Sequence, residues 1–177
     1  MEVNNERKDF YNNAMRYGTL LGAVWAATYV LIFTGATNIL CAMTAIVLYV
    51  NSPFIAGWLV AKYRRKECND TISFAQAWGF ATILYLCATI LSTTVNFIYL
   101  NYIDQGAFLK EMLNMLTTLR NTPEANAEII SATDEYIKLL SNIDFRSFAW
   151  RAMESDFMNS LLFPPIIALF VKKEKRI

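Results

Sequence analysis

Three long blocks of this chain, at about 17–33, 39–61 and 74–102, contain no Asp, Glu, Lys or Arg. Uncharged apolar runs of that length read as membrane spans, and inside a bilayer core the backbone must satisfy its own hydrogen bonds, which selects helices. The first block sits near the lower limit of about 17 residues, or about 25 Å of helix. The second is long enough to cross comfortably. Only Thr34-Gly35-Ala36-Thr37-Asn38 joins them, so the two must form an antiparallel hairpin. The third is longer than one bilayer requires and must tilt or project beyond it. A fourth span is expected at about 157–171. There Leu161 to Val171 is apolar but short, and Pro164-Pro165 interrupts it. It can cross only if its helix begins at the interface, at Phe157 or before. Asn51-Ser52-Pro53 is expected to break the middle of the second helix.

Composition agrees with this class. The chain has 177 residues, about one domain's worth. It is 55% hydrophobic and 18% charged, with a mean hydropathy of +0.29. Soluble domains carry about a quarter charged residues. A net charge of +1 gives no footprint for nucleic acid. The three cysteines, Cys41, Cys68 and Cys87, are scattered and form no C-x-x-C pair. They read as small hydrophobes rather than a disulfide framework or zinc site. There is no histidine, hence neither the commonest metal ligand nor the commonest general base. No cofactor and no metal is expected. The first apolar block starts behind a charged N-terminal stretch and lacks an A-x-A-like site, so it is expected to stay in the mature protein.

Basic residues decide the topology. Arg7, Lys8 and Arg16 precede the first block. Lys62, Arg64, Arg65 and Lys66 follow the second, and Lys172, Lys173, Lys175 and Arg176 end the chain. With four spans all three clusters fall on one side, which the positive-inside rule makes cytoplasmic. Tyr17, Trp58 and Trp78 then lie near the inner interface, and Phe33, Tyr99 and Tyr102 near the outer one. Trp25 is mid-span and is expected between helices.

The segment 103–156 is polar yet patterned. Phe108, Leu109, Met112, Leu113, Leu116 and Leu119 recur at helical spacing. Asn121-Thr122-Pro123-Glu124 reads as a stop and a restart, with Thr122 capping and Pro123 in the first turn. Ile129, Ile130, Tyr136, Ile137 and Leu140 mark a second amphipathic stretch, and Asp144 is placed to cap a third helix leading into the last span. The expectation is an extracytoplasmic helical insert whose apolar stripes pack on each other, with the membrane surface or a partner as alternatives.

Polar residues within spans are costly and need a reason. Asn51, Ser52, Pro53 and Asn96 are read in two ways: as a polar groove for a lipid or small solute, or as interhelical hydrogen bonds around a proline kink. The structural reading is preferred. Gln76, Thr89, Ser92, Thr93 and Thr94 complete the polar set of the third block. Glu154 and Asp156 lie at the start of the short fourth helix, where a cation site or simple hydration at the membrane edge are the options, and hydration is preferred. Arg151 is three positions before Glu154, within reach of a helix-face ion pair. Gly18, Gly22 and Ala26 form one small-residue face and Ala75 and Gly79 another, suited to close helix packing within the chain or to homo-oligomers. Lys62, Arg64, Arg65 and Lys66 offer a contact for lipid head groups or a partner, beside their topogenic role. No Walker loop, nucleophile elbow or nucleotide fingerprint is present.

The stretch Thr71-Ile72-Ser73-Phe74-Ala75-Gln76-Ala77-Trp78-Gly79 follows a basic loop and opens a long helix ending in Tyr99-Leu100-Asn101-Tyr102-Ile103-Asp104. With the Tyr17-Gly18 start of the first helix and the lysine-rich tail, it resembles domain-of-unknown-function family 4199 over nearly the whole chain. Where that family often has a proline after the third helix, this chain has Asp104-Gln105-Gly106. The resemblance implies a small four-helix bacterial inner-membrane protein with a helical insert before the last span, and it supplies no catalytic residues. It also implies a partner, a glycosyltransferase acting on polyprenyl-phosphate lipids.

The expected fold is therefore all-α: an integral membrane four-helix bundle, one domain over 1–177, with an extracytoplasmic insert at 103–156. Its expected role is that of a non-enzymatic accessory or scaffold subunit, with both termini cytoplasmic and a protein partner or a second copy beside it. The alternative is a lipid or small-solute carrier using a groove around Asn51 and Asn96.

Overall fold

The computed structural model describes residues 2–35, 38–123, 125–142 and 145–173. All secondary structure there is helical apart from one two-residue bridge. The helices are α1 (Glu2–Gly35), α2 (Ile39–Glu67), α3 (Phe74–Ile98), α4 (Ala107–Arg120), α5 (Ala127–Ser141) and α6 (Phe145–Val171). A π-helical segment, Tyr99–Asp104, extends α3. Three helices are long and apolar enough to cross a membrane: Arg7–Gly35, Ile39–Glu67 and Phe74–Asp104. α6 is as long but more polar at its start.

The expected limits change in instructive ways. α1 begins fifteen residues before Tyr17, because the charged stretch carrying Arg7, Lys8 and Arg16 is itself helical. α2 runs unbroken through Pro53, correcting the expected break. Membrane helices tolerate an internal proline because neighbouring groups re-satisfy the freed backbone. α6 likewise continues through Pro164 and Pro165, and starts well before Phe157. α5 starts at Ala127 rather than at Thr122-Pro123. Asn126 supplies the cap, its side-chain oxygen accepting from the Ile129 amide at 2.8 Å, while the Thr122 hydroxyl donates back to Thr118. Asp144, Glu124, Lys175 and Arg176 lie outside the described residues.

α3 is the central helix, packed against α1 on one side and α6 on the other, while α2 packs mainly on α1. Gly18 and Gly22 permit the α1–α3 approach. A Cβ at Gly18 would lie 2.6 Å from the Leu84 carbonyl oxygen and 2.7 Å from Cys87 Cβ. At Gly22 it would lie 3.0 Å from Ala88 Cα. The face that receives them is Leu84, Cys87, Ala88 and Leu91, not Ala75 and Gly79. Ala75 is exposed, and the nearest neighbour to a Cβ on Gly79 is the tip of Phe10, 4.0 Å away.

One end of this assembly is closed by aromatic rings and backbone ties. Tyr63 stacks on Phe80 at 3.9 Å, and Phe10 meets both edge-on. Ile72 and Lys173 exchange two backbone hydrogen bonds of 2.9 and 3.0 Å, joining the start of α3 to the end of α6. Arg64 Nη1 donates to the Val171 carbonyl at 2.6 Å, and Asp70 pairs with both Arg64 and Lys173. Ser73 and Gln76 form a capping box that starts α3. At the other end Phe33 stacks on Tyr99 at 5.0 Å and meets Phe108 edge-on at 5.3 Å. The Asp104 carboxylate accepts the Gly106 and Phe108 amides, starting α4 where the π segment stops. Gly106 has φ +91°, a conformation that side chains resist and glycine adopts freely. α4 and α5 pack on each other as a hairpin, with an Arg120–Asp134 ion pair of 2.6 Å.

Candidate functional site

α2 and α6 run in the same direction and touch toward their C-terminal ends, where Ile167 Cγ2 lies 4.0 Å from a Cβ on Gly57 and Arg64 reaches the Val171 carbonyl. Nearer the middle of both helices a pocket of about 80 Å³ lies between them, open on one side. Tyr49, Ser52 and Pro53 of α2 face Asp156, Asn159 and Phe163 of α6 across it. Trp25, Thr28 and Tyr29 of α1 and Tyr85 of α3 complete the wall.

Asp156 is the chemical centre of this pocket. It is 4% exposed, so the expected hydrated acid at the membrane edge is instead enclosed by helices. The cause is its register. Asp156, Ser160, Phe163, Ile167 and Val171 recur at helical spacing along the face that α6 turns inward. That spacing was the one signal in the sequence that could have found the site. Glu154 and Arg151, off that face, are exposed, and no ion pair joins them among the described residues.

Two hydroxyls serve the Asp156 carboxylate. Tyr29 donates to Oδ1 at 2.5 Å, and Ser92 Oγ lies 3.3 Å from Oδ2 and 3.1 Å from the Thr89 carbonyl, two acceptors for one hydrogen. Among the described residues no Lys or Arg pairs with it. A buried carboxylate without a cation is costly, and hydroxyl donors offset only part of that cost.

The pocket walls are mostly aromatic. Trp25 and Tyr85 meet edge-on at 5.5 Å, and Tyr85 stacks on Phe163 at 6.3 Å. The Trp25 indole N–H donates to the Ser52 hydroxyl, which places Trp25 between helices as expected. The Tyr85 hydroxyl is buried and has no hydrogen-bond partner among the described residues. A phenol donor left unpaired is unusual, since buried polar groups nearly always find partners.

The residues expected to share a groove are separated. Ser52 and Pro53 line the pocket. Asn51 is exposed on another face of α2, its amide donating to the Val47 carbonyl at 2.8 Å in its own helix. Asn96 is buried further along α3, outside the pocket wall, with its side-chain oxygen unpartnered among the described residues. The period of a helix explains the split, because adjacent residues point about 100° apart.

The basic run is divided too. Arg64 is half-buried and bonded to Val171 and Asp70. Lys62 lies over the Trp58 ring at 4.8 Å, while Arg65 and Lys66 are exposed. The three cysteines are free and half-buried, and no group of His, Cys, Asp and Glu with metal-binding geometry occurs among the described residues.

Comparison with known proteins gives one match. A family model described as a protein of unknown function (DUF4199) matches residues 16–173. No curated protein and no solved structure matches the chain.

Proposed function

This chain belongs to the DUF4199 family of proteins of unknown function, and we propose that it is a non-enzymatic membrane protein that binds a small solute in the pocket between α2 and α6. The observation that carries this reading is a buried carboxylate, Asp156, in the same pocket as an unpartnered phenol, Tyr85. Among the described residues Asp156 has hydroxyl partners but no cation, and the Tyr85 hydroxyl has no partner at all. Ligand pockets characteristically combine apolar and aromatic walls with a few placed polar groups.

In this reading α6 is a fourth span, and both termini lie on the cytoplasmic side of a bacterial inner membrane. Support comes from the gathering of Arg64, Lys173 and the start of α3 at one end of the helices, where a single cytoplasmic face would hold the basic clusters. The α4–α5 hairpin is then the extracytoplasmic insert.

The test is access to the pocket. In Asn159→Cys, a small thiol reagent applied to the protein in nanodiscs should modify position 159, read by peptide mass spectrometry. Leu84→Cys, inside the α1–α3 contact, should stay unmodified under the same conditions. Equal protection of the two positions would overturn the pocket reading.

A second reading, an accessory subunit, is favoured by the apolar residues that the hairpin leaves exposed, among them Met115, Leu119, Tyr136 and Leu139. Gentle detergent extraction should then recover a stoichiometric partner or a stable homo-oligomer. A clean monomer would count against it.

A further inference from the structure

We infer that the solute taken by this pocket is a small organic cation, an alkylammonium or quaternary ammonium ion, with Asp156 as its counter-ion. The inference rests on the pocket reading above and adds the charge and chemical class of the occupant. Three observations lead to it. Asp156 is a buried carboxyl group whose partners, Tyr29 and Ser92, are neutral hydroxyls, and among the described residues no Lys or Arg pairs with it, so an incoming cation is the charge that would match its ionised form. The walls around it carry five aromatic rings, those of Trp25, Tyr29, Tyr49, Tyr85 and Phe163. Aromatic faces attract cations, best when the site is desolvated, and cages of this kind are the recurrent receptor for quaternary ammonium groups. A cationic occupant would account for walls of rings rather than aliphatic chains, which would line an apolar pocket as well.

The alternatives fit less well. An anion would meet Asp156 with no Lys or Arg to offset it. A bare metal ion would need several oxygen ligands at short range, and one carboxylate with two hydroxyls among rings falls short of such a shell. A neutral solute would use the Tyr85 hydroxyl but would leave the carboxylate unmatched. An amine or alcohol group on the cation would meet the Tyr85 hydroxyl, which is buried and has no other partner among the described residues. Tyr49, half exposed at the rim, stands where a solute would enter from the side.

The experiment is calorimetric titration of the full chain in nanodiscs with choline and with its uncharged isostere 3,3-dimethylbutan-1-ol. Choline should bind saturably and the isostere about tenfold or more weakly. Asp156→Asn, which keeps the shape and an acceptor for Tyr29, should lose about tenfold or more in choline affinity while leaving the isostere unchanged. Tyr49→Ala, at the rim, provides a second variant should Asp156→Asn fail to fold, and it too should weaken choline selectively. Equal binding of choline and isostere, both lost in Tyr49→Ala, would overturn the cation assignment and leave the pocket reading standing. Absence of saturable choline binding, with Asn159→Cys still modified, would also overturn the cation and spare the pocket. Protection of Asn159→Cys would overturn both.

Discussion

Tyr29 and Asp156, 127 positions apart in the chain, meet through a 2.5 Å hydrogen bond that joins α1 to α6 beside the pocket. Because Ser92 of α3 reaches the other carboxylate oxygen, one acid side chain ties three helices together. The same residue therefore serves packing and the proposed site, and the two roles can be separated by substitution.

Tyr29→Phe removes the donor to Oδ1 while keeping the ring. Interhelical hydrogen bonds in membrane proteins contribute about 0.6 kcal/mol on average and up to about 1.7 kcal/mol. We expect a loss of about 1 kcal/mol, read as the unfolding free energy in a bilayer-mimetic by steric trapping. Asp156→Asn keeps an acceptor for Tyr29 and should cost less than Asp156→Ala. A cost of Asp156→Asn equal to that of Asp156→Ala would show that Tyr29 and Asp156 do not couple.

The glycine faces give a contrast within one chain. At Gly18 a methyl group would press on the Leu84 carbonyl oxygen at 2.6 Å, a backbone atom that cannot rotate aside. Gly18→Ala should therefore push α1 off α3 and cost about 1–3 kcal/mol. At Gly79 nothing lies closer than 4.0 Å, so Gly79→Ala should be neutral, or stabilising by about 0.5–1 kcal/mol through helix propensity. Thermal unfolding of the two variants in the same detergent ranks them. A Gly18→Ala protein as stable as the parent would mean that the α1–α3 contact is looser than these distances.

How much of this was readable without coordinates differs from element to element. The three apolar spans follow directly from uninterrupted runs without charge, because the bilayer leaves a backbone few options. Their ends do not follow. Hydropathy stops at Tyr17, whereas the α1 helix continues through Arg16, Lys8 and Arg7, which a helix emerging into water can carry. α6 was obscured by Asp156, Asn159 and the two prolines, features that lower its hydropathy and mark its buried face. The pocket gathers residues 25, 29, 49, 52, 85 and 156, and no local pattern announces contacts over such separations. Conversely, the stretch from Thr71 to Gly79 and the stretch from Tyr99 to Asp104 stood out in the sequence. The first proves to hold the Ile72–Lys173 bridge and the Ser73–Gln76 capping box, and the second is the π segment. Both are architectural.

At the far end, the hairpin should depend on one ring more than on its ion pair. Arg120 and Asp134 are about half exposed, and surface pairs of that kind contribute about 0–1 kcal/mol. Phe108 is buried against Phe33, with Leu100 in the same cluster. Phe108→Ala should cost about 3 kcal/mol and loosen the attachment of α4, so limited proteolysis between α4 and α5 should speed up. Arg120→Ala should leave the cleavage rate nearly unchanged. The opposite ranking would mean that the hairpin is held by its own ion pair.

The acid response of the opposite end follows from Asp70. Its hydrogen bond to Lys173, with the charges of Lys173 and Arg64, holds its carboxyl below the ordinary 3.8. A carboxyl whose folded value is depressed stabilises the fold fully above its unfolded value, and that contribution disappears as pH falls through the folded one. The tie between α2 and α6 should thus be intact at neutral pH and weaken only below about pH 4, within the range where free carboxylates already titrate. Asp70→Asn removes the charge that Lys173 and Arg64 recognise. Its stability should fall less than the parent's between about pH 5 and pH 2, and the two curves should converge at the acid end. Arg64 would still donate to the Val171 carbonyl in that variant, so the α2–α6 contact should loosen rather than open. Parallel pH curves for parent and Asp70→Asn would place the acid sensitivity elsewhere and reduce the Asp70 pairs to surface contacts of little consequence.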